Sequence, residues 1–151
     1  MRRVLTCITL ATTVLTAPAL ATGGDPPRGD LAKLQGTWTV VSGERDGKTM
    51  DKSRIEGRQV VIHGTSFVDE NKTKKETLAR GTLTLDETKS PRQVDAKFDF
   101  GELTGKSCKA IYEINGDTFR TCTGVEGDER PTSFKTQPAT GQMMFEYRRA
   151  R

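Results

Sequence analysis

The sequence predicts an all-β fold: an antiparallel up-and-down barrel of about eight strands with a short N-terminal helical turn. Three observations predict it. Short stretches of alternating apolar and polar residues recur at about 8–12-residue spacing, separated by turn signals. Hydrophobic content is only 33 % and there are 15 glycines, which suits a thin core lined by strands better than a thick helical one. The only tryptophan, Trp38, follows Gly36 at the head of an alternating segment, while Arg148 and Arg149 lie in the last one.

The N-terminal part has another character. Residues 1–21 read as an export signal: Arg2 and Arg3, the apolar run Val4–Leu15, then the small-residue pattern Ala19-Leu20-Ala21. The run is too short for a membrane span, which needs about 20 residues. Cys7 lies inside it, not at its end where a lipid-attachment cysteine would be. The expectation is an exported protein, periplasmic or extracellular, with no integral span after cleavage. Residues 22–29, "TGGDPPRG", form a flexible linker, and residues 30–151 form the barrel domain.

Loss of the leader removes two arginines and leaves 22 basic against 20 acidic side chains, a net charge of +2. The signs are mixed along the chain, so nucleic acid is not an expected partner. The densest basic run, Asn71–Lys75, reads as a solvated hairpin tip.

The elements follow in order. Asp30 is placed to cap one helical turn through Leu31, Lys33 and Leu34, which Gly36 ends. Trp38 and Val40 then share one face of the first strand. Asp46-Gly47 is a hairpin signal. Met50–Gly57 is a short helix or loop. Arg58–Gly64 and Thr65–Glu70 are paired strands contributing Val60, Ile62 and Phe67. Glu76–Asp86 is a long strand with Leu83 and Leu85 on one face, and Gly81 marks a bulge or bend. Val94–Phe100 alternates strictly, setting Val94, Ala96, Phe98 and Phe100 against Asp95, Lys97 and Asp99. Two strands carrying Tyr112 and Phe119 flank "NGD", a strong hairpin signal. Pro131–Thr136, with Phe134, and Met143–Arg149, with Phe145 and Tyr147, close the chain.

Closing such a sheet requires the first and last strands to meet. The helical turn plugs one end, Gly36 lets the chain enter β-structure closely, and Trp38 fills the closed end. A cation from Arg148 or Arg149 can cover the indole, worth about 0.5–2 kcal/mol. Gly36, Trp38, Arg148 and Arg149 are thus structural candidates. With these features the chain resembles the calycin or lipocalin-like barrels, which share Gly-x-Trp on the first strand and a late arginine. It is more closely similar to a lipocalin-like family of uncharacterised exported proteins common in planctomycete bacteria. The segments that carry this are "LQGTWTVVSGERDGK", "LDETKSPRQVD", "IYEINGDTFRTC", "RPTSF" and the terminal "RR", spread from Leu34 to Arg149. The resemblance implies a fold and an exported location, with no activity to carry over.

Catalytic chemistry finds little support. His63 is the only histidine, and a hydrolytic set needs a base beside a nucleophile. One histidine and the two cysteines after the leader do not make a zinc site. No glycine loop fits a phosphate, and acid pairs such as Asp86-Glu87 fall in loops. No cofactor or metal is expected, and no enzyme. Cys108 and Cys122 are disulfide candidates in an exported chain. A two-residue Asn115-Gly116 turn sets Cys108 opposite Thr123, whereas a type I turn at Ile114-Asn115 with a Gly116 bulge sets it opposite Cys122. Arg130 is read as an internal ion-pair or end-packing residue.

The leading functional expectation is a monomer that binds a small apolar ligand inside the barrel. The inward candidates are Val40, Ile62, Phe67, Leu83, Leu85 and Phe98, then Phe100, Tyr112, Phe119, Phe134, Phe145 and Tyr147. The alternative is a non-catalytic structural or interaction module of the cell envelope.

Overall fold

The computed structural model describes residues 25–125, 127 and 129–151. The expected leader and residues 22–24 of the expected linker lie outside the described residues. Two short helices, α1 (Gly29–Leu34) and α2 (Lys52–Ile55), accompany nine strands. These are β1 (Gly36–Arg45), β2 (Lys48–Thr49), β3 (Arg58–His63), β4 (Ser66–Asn71) and β5 (Glu76–Asp86), then β6 (Arg92–Gly101), β7 (Ser107–Asn115), β8 (Thr118–Thr123) and β9 (Met143–Arg149).

Every pairing is antiparallel. From β3 to β9 each strand pairs with the next, and β1 pairs with both β3 and β9. Eight strands therefore close an up-and-down barrel, and β2 is a short extension against the tip of β1. Closure leaves no long free edge. Asp46 (φ 52°) and Gly47 (φ 75°) form the β1–β2 turn, both in the left-handed region that a type I′ turn demands. Among the described residues no helix is long and apolar enough to cross a membrane.

Alternation sends one side chain in and the next out, and three irregularities reset it. On β1 the register slips between Val40 and Ser42, leaving Val41 exposed and returning Gly43 to the interior. Gly43 makes room there: a Cβ on it would lie 3.0 Å from the Met50 sulfur and 3.1 Å from the Phe145 ring. Between β4 and β5 the register shifts after Asp69. Between β5 and β6 Gly81 pairs with Phe98, but Arg80 pairs with Phe100, so Asp99 is the extra residue. The strict alternation read for β6 breaks at that bulge. Phe100 consequently turns outward, 44 % exposed, with the Arg80 guanidinium 5.6 Å from its ring. It is not an interior residue.

The β7–β8 hairpin departs from both registers considered for it. Asn115 pairs with Thr118 across a Gly116-Asp117 turn, with Gly116 at φ 58° in the first turn position. Ile111 therefore faces Cys122. Cys108 shares its face of β7 with Ala110 and Tyr112, which point inward, whereas Cys122 points outward with Ile111. Both thiols are buried, on opposite faces of the wall, and no disulfide joins them. Burial pushes the Cys122 thiol up to about 11.

Residues 129–142 cross the outside of the barrel as a strap, and Pro131–Thr136 is not a strand. The Arg130 guanidinium donates to the carbonyls of Val94 (3.1 Å) and Ala110 (2.6 Å) and to Asp95 (2.5 Å). Further on, Thr136 donates to Glu44 from its backbone (2.8 Å) and its hydroxyl (2.6 Å). Phe134 is therefore outside the barrel, 4.2 Å from the Arg120 guanidinium carbon. Outward Ile111 and Cys122 are almost wholly buried, 1 % and 0 % exposed, on the wall beside the Ala110 carbonyl that Arg130 of the strap binds.

Candidate functional site

The barrel interior has two ends, and each is set by particular residues. At the first, α1 lies across the opening. Arg28, not Asp30, is its N-cap, and Asp30 sits in the first turn with its side chain 3 % exposed. The Asp30 carboxylate accepts from Lys33 (2.9 Å), Arg92 (2.8 Å) and Tyr112 (3.0 Å), while Glu87 accepts the Asp30 backbone N–H (2.8 Å). Trp38 is fully buried and its indole N–H donates to the Leu34 carbonyl at 2.8 Å. The Arg149 guanidinium carbon lies 4.2 Å from the indole, and the same group donates to the Gln35 and Lys33 carbonyls that end α1. One arginine thus covers the ring and satisfies carbonyls left open at a helix C-terminus. Arg148 points outward and is exposed, so Arg149 alone of the two takes this role.

The middle of the barrel is lined by most of the expected interior residues. Val40, Ile62, Phe67, Tyr112, Phe119, Phe145 and Tyr147 are buried in one cluster. Phe119 stacks on Tyr147 with centroids 5.0 Å apart and meets Trp38 at a tilt at 5.5 Å, and Phe67 meets Phe98 edge-on at 5.5 Å. Burial is uneven around the wall. Most core residues on β7 to β9 are tightly covered, Ile114 and Met143 excepted, whereas Val60, Leu83, Leu85, Ala96 and Phe98 face the same interior and are only half-buried. Accessible apolar surface therefore remains on the inward faces of β3, β5 and β6.

The second end carries charge that the sequence reading missed. Arg58 and Asp69 lie on the faces of β3 and β4 that also carry Val60, Ile62 and Phe67, so both point inward. Arg58 Nε donates to Asp69 Oδ1 at 2.9 Å and Nη2 to Oδ2 at 2.5 Å, a two-pronged pair. The guanidinium carbon is 4.4 Å from the Phe145 ring centroid. Burial opposes the guanidinium charge, but the hydrogen bonds and charge of Asp69 outweigh it and raise the Arg58 pKa. Tyr147, further in, is pushed up to about 12 by burial and by the charge of Asp69. Asn71 continues this face and ties down the α2 turn: its amide donates to the Glu56 carbonyl at 3.0 Å. Met50 and Ile55, on either side of the start of α2, pack over this end.

Two cavities lie beyond the interior. One, about 250 Å³, runs along the outer wall past Thr84, Asp95, Lys97 and Lys109. The other, about 370 Å³, lies beside the β1–β2 hairpin between Arg45, Lys48, Arg54 and Pro138, and Met50 forms part of its wall. Met50 thus separates that groove from the interior end held by Arg58. His63 is exposed at the end of β3. Among the described residues no three metal-ligating side chains come together. Comparison with protein-family models, with curated proteins and with solved structures gave no match.

Arg58 was legible in one respect. In "RQVVIHG" it shares parity with Val60 and Ile62, so any strand there sends it inward with them.

Proposed function

We propose that this chain is an exported, non-catalytic, lipocalin-like binder that takes a small apolar molecule into its barrel. The observation that supports the reading is the half-buried apolar surface on the inward faces of Val60, Leu83, Leu85 and Phe98. Apolar surface facing an interior is stabilised by an apolar guest, at about 25 cal/mol per Å² removed from water. The guest would enter at the Arg58 end, because Trp38 and Arg149 fill the other. Met50, unbranched and adaptable, lies between the surface groove and the interior.

Native mass spectrometry of the protein from its own envelope, with and without delipidation, tests this alongside Nile red fluorescence. A mass lost on delipidation and a blue-shifted dye signal are expected. Coincident masses with no dye enhancement would leave the interior as a core and nothing more.

The second reading is an interaction module of the cell envelope. What favours it is the placement of these two cavities on the outer surface, one of them lined by Asp95, Lys97, Lys109 and Gly127. A pull-down from envelope extract would return a partner that competes with substitutions at Lys97 and Lys109, and bait alone would count against it.

A further inference from the structure

The inward ion pair has a side that the fold leaves unused. Asp69 spends both carboxylate oxygens on Arg58, and Arg58 spends Nε and Nη2 on Asp69. Arg58 Nη1 donates to no group among the described residues, and the Arg58 side chain keeps 20 % of its surface accessible. The guanidinium carbon lies 4.4 Å from the Phe145 ring centroid, at the end of an interior that is otherwise apolar along β3, β5 and β6. A donor pair held in place at the rim of an apolar space is a polar anchor for an amphipathic guest.

From this geometry, and resting on the ligand-binding reading above, we infer that the free edge of Arg58 takes an uncharged hydrogen-bond acceptor. The guest would be an apolar chain ending in an ester, ketone or amide carbonyl, bound in preference to a carboxylate. Charge decides between the two. Asp69 already balances Arg58, so the pair presents oriented N–H donors without a net charge. A carboxylate would enter beside the Asp69 carboxylate, lose its hydration and meet a like charge in a poorly solvated site. A carbonyl oxygen accepts the same N–H group and brings no charge to desolvate.

The test uses two probes of one chain length, methyl dodecanoate and dodecanoate, each displacing Nile red at neutral pH. For the unaltered protein the ester should displace the dye at about one tenth of the concentration the acid needs, the lower end of what a charged donor's hydrogen bond confers. Asp69→Asn keeps the shape and removes the balancing charge, so dodecanoate should gain until the order reverses. Arg58→Met should weaken the ester about tenfold and leave dodecanoate the poorer ligand, because Asp69 then stands without its counter-charge, and Arg58→Lys should restore part of the ester affinity. Circular dichroism checks that each variant is folded, and the ratio in the unaltered protein stands without any variant. Equal displacement, or a preference for dodecanoate, overturns the inference and leaves the ligand-binding reading standing. Binding of neither probe, with no Nile red signal, overturns both.

Discussion

At one end of the barrel Trp38 has no exposed surface, with Arg149 over its ring and α1 across the opening. At the other, Arg58 lies over Phe145 with 20 % of its side chain accessible. Both ends use the same pairing, a guanidinium 4.2–4.4 Å from an aromatic ring. They differ in what takes the remaining donors. Arg149 gives its outer nitrogens to backbone carbonyls of residues 33 and 35, which fixes a plug. Arg58 gives two of its three nitrogens to a carboxylate, and its third has no partner among the described residues. An arginine over an aromatic is therefore a seal or an anchor according to its second set of partners.

The contrast can be broken most severely at the sealed end. Trp38→Ala removes the largest buried side chain and should cost about 3–5 kcal/mol, read from the urea midpoint by circular dichroism. A loss below about 1 kcal/mol would mean that the plug is dispensable.

The open end responds differently to single and paired changes. Asp69→Ala strands the Arg58 charge inside the barrel and should cost about 2–3 kcal/mol, reduced from a fully buried pair by the partial exposure of Arg58. Replacing both, with Arg58→Met and Asp69→Leu together, should return most of that stability, since the pair's mutual attraction does little more than offset its desolvation. A double variant as unstable as the single one would show that the ion pair itself holds the mouth.

Adjacent arginines sharpen the comparison further. Arg149→Met loses the indole contact and two carbonyl partners, about 1–2 kcal/mol. Arg148→Met, on the outer face, should stay within about 0.5 kcal/mol of the unaltered protein. Equal effects would remove the distinction between them.

The smallest effect concerns acid. Burial works against ionised Asp30, but hydrogen bonds from Lys33 and Tyr112 and the charge of Arg92 hold its carboxyl below the ordinary 3.8. A depressed folded value means that the stabilisation is present above pH 3.8 and is lost as pH falls through the folded value. Glu44 and Asp86 are lowered too, by hydrogen bonds from Thr136 and Thr88, so the acid response is shared. Asp30→Asn should lower the urea midpoint at neutral pH and flatten its decline below about pH 4. An unchanged slope would assign the acid response to other carboxylates.

Much of the barrel could be read from local pattern. The Glu76–Asp86 strand has the bounds its alternation predicts, and closure of the first strand on the last followed from their composition. What escaped has one physical origin: alternation is a local signal, and register is not. A single extra residue, Asp99, turned Phe100 out. A two-residue turn at Gly116-Asp117, in place of the bulged alternative, keeps Cys108 and Cys122 on opposite faces. Phe134 was misread because a loop that hugs the outer wall also needs apolar residues, and composition does not say which side of a wall they cover. At the site, the apolar lining was legible strand by strand. The Arg58–Asp69 pair was not, because a charged residue at a strand end ordinarily faces water, and only the β3–β4 register brings the two together.

The most direct test of a barrel sealed at one end and receptive at the other is a solution NMR titration with methyl dodecanoate. Methyl and ring signals of Val60, Leu83, Phe98 and Phe145, with the Arg58 side-chain N–H, should shift together in a saturable way, while the Trp38 indole N–H stays fixed. Shifts confined to the outer face, around Lys97, Lys109 and the strap, with the interior signals unmoved, would contradict it.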